Sequence, residues 1–271
     1  MGHPHHPPTR VPGSATTSNH SPEVAKSHTI SSSSRPAPHA PAASPPLSRA
    51  AQLGAGVSLL LAGLLNGGSQ YLTHLLTGDH GDFSDQIRWG AEHPGPHQAE
   101  QAALVASMFF LPLGLLGLAH LARWGAPRLT AVALALVLWG MWGFHNVVAL
   151  GYGAGSVAPG AIGVDAAVDL NESYLDHLGV TLTALVPHLL GSFLGLLLLT
   201  LACWRSGRLP RVPLALLAAF LVWDFLLAPV GPLEPHLLLA VALGWLGVHV
   251  LRMPVGTWSG NPSADRRATA Y

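Results

Sequence analysis

Five residues hold most of the chain's capacity for chemistry: His97, His145, His188, Asp224 and His236. Each stands in, or at the end of, a long apolar run. An imidazole or carboxylate in such a run is costly unless it faces a protein interior or a water-filled cavity. Three uses fit these residue types. Imidazole nitrogens and a carboxylate oxygen could ligate a transition metal, and zinc asks for three or four such donors in a tetrahedral array. A water in one coordination position would then become a nucleophile. Two histidines on different helices could instead hold a haem axially. A His–Asp chain could relay protons or bind a solute in a transporter.

The spacing matches no known metal or haem motif: neither HExxH nor CxxCH occurs, and His145, His188 and His236 are separated by helix-length distances. The plainer alternative is that each histidine is an interfacial cap. Asn146 then satisfies His145 locally, and Glu100 lies one helical turn from His97. Asp224, in the run Val222-Trp223-Asp224-Phe225-Leu226, has fewer options. It must pair, with His145 or His188 as partners of similar depth, or lose its charge.

Six apolar runs have to position these groups: about 50–68, 101–121, 129–150, 180–202, 212–230 and 235–252. Each is near the ~20 residues that cross a hydrocarbon core. One of them, Leu129–Leu150, has 22 residues and no formal charge. The expected fold is therefore all-α, a polytopic transmembrane helix bundle of six spans. Gly114, Gly117, Gly140, Gly143, Gly191 and Gly195 should let helix backbones approach closely. Pro112 should bend the second span or free one of its backbone carbonyls. After Asn66-Gly67-Gly68 the chain either extends the first helix through Tyr71–Leu76 or turns back at the interface.

The joins orient the bundle. Of the thirteen basic residues, all but Arg88 fall before the first span, in alternate joins, or after the sixth. Basic residues mark the cytoplasmic side of membrane proteins, so both termini are expected inside. The opposite joins are two long loops, 69–100 and 151–179, and a tight turn around Pro229–Pro235. Loops of roughly 30 residues are uncommon unless they serve as lids, binding loops or interfacial helices. The segment Asp169–Leu178 suits a short interfacial helix. The glycine run Gly151–Gly155 has no preceding strand, so it reads as a flexible stretch and not as a phosphate loop. On this topology His97, His145, His188, Asp224 and His236 all lie in the outer half, and so does Asn146.

Composition narrows the partners. Half the chain, 49%, is hydrophobic and only 10% is charged, against about a quarter charged in soluble domains. The formal net charge of zero excludes the concentrated basic surface that nucleic acid requires; the lipid bilayer is the partner that the sequence implies. Cys203 is the single cysteine, so no intrachain disulfide or paired-cysteine metal motif exists. Residues 1–48 are rich in Pro, Ser and His without an apolar run and are expected to be a disordered cytoplasmic tail, His3, His5 and His6 included. Residues 49–252 form the membrane domain, and 253–271 a second cytoplasmic tail.

The segment Ala91–Val105, AEHPGPHQAEQAALV, opens a span. An arginine-bearing join follows, and then the LxLxLWGMW pattern of Leu134–Trp142. The combination resembles uncharacterised multi-pass membrane proteins common in actinobacteria, over about residues 50–252. That resemblance implies a bacterial plasma-membrane location and assigns no catalytic residue. The expected function is that of a non-catalytic or accessory inner-membrane protein. The alternatives are a metal- or haem-binding protein or enzyme with an outer-half His/Asp site, and a small-solute or proton-coupled transporter.

Overall fold

A computed structural model describes residues 46–77, 83–227 and 234–260, and all regular structure among them is helical. Of the tail expected to be disordered, residues 1–48, the first 45 lie outside the described residues and the last three open the first helix; the turn expected near 230 and the end of the chain also lie outside them. Helix α1 (Pro46–Ala62) runs through a widened, π-type turn, Gly63–Gly68, into α2 (Ser69–Thr77). The first span is thus extended and does not fold back. Helix α3 (Phe83–Glu92) precedes the long α4 (Pro94–Ala122) and α5 (Pro127–Tyr152). A second π-type turn, Gly153–Val157, leads to α6 (Ala158–Ile162) and α7 (Val164–Asp176). The short α8 (Leu178–Val180) continues through π-type turns at Thr181–Leu185 and Pro187–Ser192 into α9 (Phe193–Ser206). Helices α10 (Arg211–Leu226), α11 (His236–Arg252) and α12 (Val255–Trp258) complete the bundle.

Among the described residues, four continuous helices are long and apolar enough to cross a membrane: Ser48–Leu75, Pro94–Ala122, Pro127–Ile162 and Leu178–Ser206. The protein is therefore an all-α, polytopic membrane-spanning bundle. Local sequence explains where the helices start and stop. Pro94 and Pro127 each occupy the first helical position, where a missing N–H costs nothing. Gly207, at φ 66°, closes α9 in the left-handed conformation that glycine adopts without strain. Helix α4 passes through Pro112 without interruption. Gly153 and Gly155 belong to helix-like turns continuous with α5, so the expected flexible stretch is helical. The two long joins likewise hold α2, α3, α6 and α7.

Packing follows the logic of helices in lipid. A bilayer gives no hydrophobic drive between helices, so close fit decides association. Helix α1 lies against α4 and α11, while α5 lies against the 187–192 turn and α9, and α10 against α9 and α11. The core is leucine-rich, with Leu59, Leu115, Leu199, Leu214 and Leu243 all at 2% exposure or less. Small residues sit at the contacts: a Cβ on Gly140 would stand 2.2 Å from the Ser192 nitrogen, and one on Gly143 2.4 Å from the His188 nitrogen. Phe109, Leu182 and Trp142 turn outward, as residues facing acyl chains must.

The two ends of the bundle differ. At one end, the arginine end, Gln52 Nε2 donates to the carbonyls of Val250 (2.7 Å) and Met253 (2.6 Å), and Arg208 Nη1 donates to Thr257 O at 2.8 Å. His120 stacks on Trp258 with ring centres 4.4 Å apart, and His249 Nε2 meets Arg208 O at 3.3 Å. Trp258 is itself buried in this cluster. The opposite end, the loop end, carries α3, α6 and α7 and the Arg88–Asp165 ion pair at 2.7 Å.

Candidate functional site

A cavity of about 280 Å³ opens in the half of the bundle nearer the loop end. Its floor is apolar, with Leu111, Leu115, Leu196, Leu217 and Leu243 from four helices. Phe144, Phe220 and Phe225 form its sides. Toward the loop end the wall turns polar: Asn66, Gln70, Gln86 and Gln101 carry amides, and Glu100 and Asp224 carry carboxylates. His188, Ser192 and His236 complete the polar set.

Local sequence explains how these groups reach the wall. His236 is the first residue of α11, and Glu234, two residues earlier, caps it: Glu234 Oε2 accepts from the His236 backbone N–H at 2.7 Å. The other carboxylate oxygen, Oε1, makes a very short contact with His236 Nδ1. Asp224 Oδ1, near the end of α10, lies 4.0 Å from the same nitrogen. His236 is therefore flanked by two carboxylates. Helix α1 can approach this point because residue 67 is glycine: a Cβ there would stand 2.6 Å from the His236 carbonyl.

His188 is held differently. Its ring stacks on Phe144 with centres 4.7 Å and planes 13° apart, and Nδ1 lies 3.4 Å from Ser192 Oγ. Both residues belong to the π-type turn 187–192. Such a turn lets an extra residue into the helix and so rotates the register of the residues beyond it. Here His188 and Ser192 line the cavity while Gly191 meets Gly140 on α5. The π-type turn 63–68 acts similarly, bringing Asn66 Nδ2 within 3.3 Å of Ser107 Oγ on α4.

Of the five residues singled out from the sequence, three share this cavity: His188, Asp224 and His236. The partner of Asp224 is His236, and neither His145 nor His188 takes that role. His145 is off the cavity wall, on the flank of α5, because a step of one residue turns it about 100° from Phe144. Its neighbour Asn146 donates to Thr183 O at 3.1 Å and so ties α5 to the next span.

His97 lines a separate pocket with Gly90, Gly155 and Ser156. It is 6% exposed, and its Nε2 has no hydrogen-bond partner among the described residues. Its Nδ1 lies 3.8 Å from Glu100 Oε2. Glu100 thus touches both His97 and the main cavity. Among the described residues, no three His, Cys, Asp or Glu side chains are grouped to hold a metal ion.

Sequence reasoning missed Asn66, Ser192, Glu234 and the glutamines. Glu234-Pro235-His236 was legible in part, since an acidic residue just before a helix start suits its exposed N–H groups. Ser192 and the glutamines carry no such mark.

No family model, curated protein or solved structure matches this chain. The site therefore has to be interpreted from its own chemistry.

Proposed function

We propose that this chain is a six-span protein of a bacterial plasma membrane, with both termini cytoplasmic, that binds a small molecule in its loop-end cavity. The cavity carries the proposal: an apolar floor beneath a rim of carboxylates, imidazoles and amides is how ligand pockets combine affinity with orientation. Its volume of about 280 Å³ is close to the lower bound of ~300 Å³ usual for such pockets. Helices α10 and α11, at 16 and 17 residues, supply the fifth and sixth spans. Each covers roughly 25 Å at 1.5 Å per residue, enough for a locally thinned bilayer. The seven arginines described at one end and the single Arg88 at the other support the orientation.

Binding is tested by saturable uptake of a small amphiphile by the purified full chain. The Leu217→Trp variant, which fills the cavity floor, should lose it. Uptake that is unchanged in Leu217→Trp means the cavity is not the binding site.

A second interpretation is favoured by the His236 environment. A histidine fixed by one carboxylate and facing another can act as a general base on a bound ligand. The two interpretations differ in one readout: a binding protein returns its ligand unchanged, and an enzyme does not.

A further inference from the structure

We infer that the ligand of this cavity is an organic cation, an ammonium group joined to a short apolar body. The inference rests on the proposed binding role and specifies its chemistry.

Among the described residues, the acidic and basic side chains on the cavity wall, histidines aside, are all carboxylates. Glu100 and Asp224 line it, and Glu234 stands directly behind His236. No described lysine or arginine contributes to the lining. The basic side chain described in the loop-end region, Arg88, is bonded to Asp165 at 2.7 Å. His236 and His97 are the imidazoles in contact with these carboxylates, at Asp224 and Glu234 for the first and at Glu100 for the second. Three carboxylates therefore share two partnering imidazoles, and the third imidazole near them, His188, is turned to Ser192 and Phe144. The surplus carboxylate sits in a half-bundle with an apolar floor, where a carboxylate without a partner is expensive.

Each other class of occupant fits less well. An anion would add to the repulsion. A bare metal ion lacks three grouped donors among the described residues. A wholly apolar molecule would cut Glu100 and Asp224 off from water without giving them a partner. A cation with an apolar body meets all three zones of the wall. Its ammonium group would pair with Asp224 and Glu100. Phe220 and Phe225 bring aromatic rings to the same wall, and such rings attract cations. The leucine floor takes the hydrocarbon. The volume of about 280 Å³ accommodates a short chain and excludes a two-chain lipid as a whole.

Ammonium groups reach a membrane protein from two sources, free amines in the medium and amine headgroups of lipids. The test uses the full chain in a neutral maltoside detergent with radiolabelled hexyltrimethylammonium as probe. Hexylamine, 1-hexanol and hexanoate serve as competitors of equal chain length. Saturable probe binding is expected, with hexylamine competing at least about tenfold better than hexanol or hexanoate. Asp224→Asn and Glu100→Gln should each weaken probe binding by about tenfold and leave hexanol binding unchanged. Two substitutions are used so that a folding failure in one does not end the test. Displacement of the probe by phosphatidylethanolamine, but not by phosphatidylglycerol, would identify the lipid headgroup as the source; no displacement by either identifies a free amine. Binding of hexanol or hexanoate as tight as that of hexylamine overturns the cation assignment and leaves the cavity's binding role standing. Absence of saturable binding by every compound overturns both.

Discussion

The substitution Gly140→Ala should loosen the bundle where the cavity wall is made. A Cβ at position 140 would lie 2.2 Å from Ser192 N, 2.5 Å from Gly191 C and 2.7 Å from Ser192 Cα. All three are backbone atoms, so no side chain can rotate away. Carbon contacts are comfortable only near 3.5 Å, so the two helices must part by about 1 Å. The 187–192 turn would move with them, and with it the Phe144–His188 stack now at 4.7 Å. Overpacking of this kind costs about 1–3 kcal/mol. Clashes with three backbone atoms put this site at the upper end of that range, about 2–3 kcal/mol; alanine recovers about 1 kcal/mol through its better helix propensity, leaving a net loss of roughly 1–2 kcal/mol.

For a chain of this size each kcal/mol moves the melting point by about 2–4 °C. A drop of roughly 2–8 °C is expected. The single cysteine makes the assay simple: Cys203 is fully buried, so a fluorogenic maleimide should react with it only as the protein unfolds. Gly244→Ala is the matched control, because a Cβ there meets nothing within 4 Å. It should melt at or above the parent temperature. If the two variants melt together, α5 and the 187–192 turn are not in backbone contact, and the account of how His188 reaches the wall is wrong.

Other positions give equally definite expectations. Gln52→Leu removes, in a fully buried site, the donor shared by the Val250 and Met253 carbonyls, leaving Val250 O with the Met253 N–H and taking the side-chain donor from Met253 O. A loss of about 1–3 kcal/mol should appear in the same thiol assay, and an unchanged melting point would refute it. Arg88→Ala breaks an ion pair whose side chains are 51% and 87% exposed. Such pairs are worth at most about 1 kcal/mol, so its melting point should move by no more than a few degrees. Orientation can be read by cysteine labelling on a Cys203→Ala background. Glu172→Cys, in α7, should react with an impermeant maleimide added to intact cells, and Arg128→Cys, at the start of α5, only after lysis. The reverse pattern would invert the bundle.

Two physical signals made the sequence informative, and both are collective. Apolar runs of near-bilayer length predicted helices, and the observed helices at 94–122, 127–152 and 178–206 contain the expected spans. Segregated arginines predicted which helix ends lie together. The cluster of Gln52, Arg208, His249 and Trp258 joins four segments at one end. Neither signal specifies how a helix is rotated about its axis. That is why His145, at the right depth, faces the wrong way, while His188 reaches the cavity.

Rotation here depends on features with faint sequence marks. The π-type turns shift the register part-way along a span, and glycines at 67, 140 and 143 let one backbone close onto another. Depth alone also misassigned the partner of Asp224. Imidazoles on two other spans were as near in depth, but the start of α11 stands beside the end of α10 and sets His236 next to Asp224. Glu234, placed just before α11, then fixes the His236 ring by its backbone and side-chain nitrogens together. The adjoining ends of α10 and α11 therefore assemble the acidic side of the cavity. Lengthening either helix by a turn at this end would move Asp224 or His236 by about 5 Å along its axis and separate the pair. Short closing helices and an intact site go together for that geometric reason.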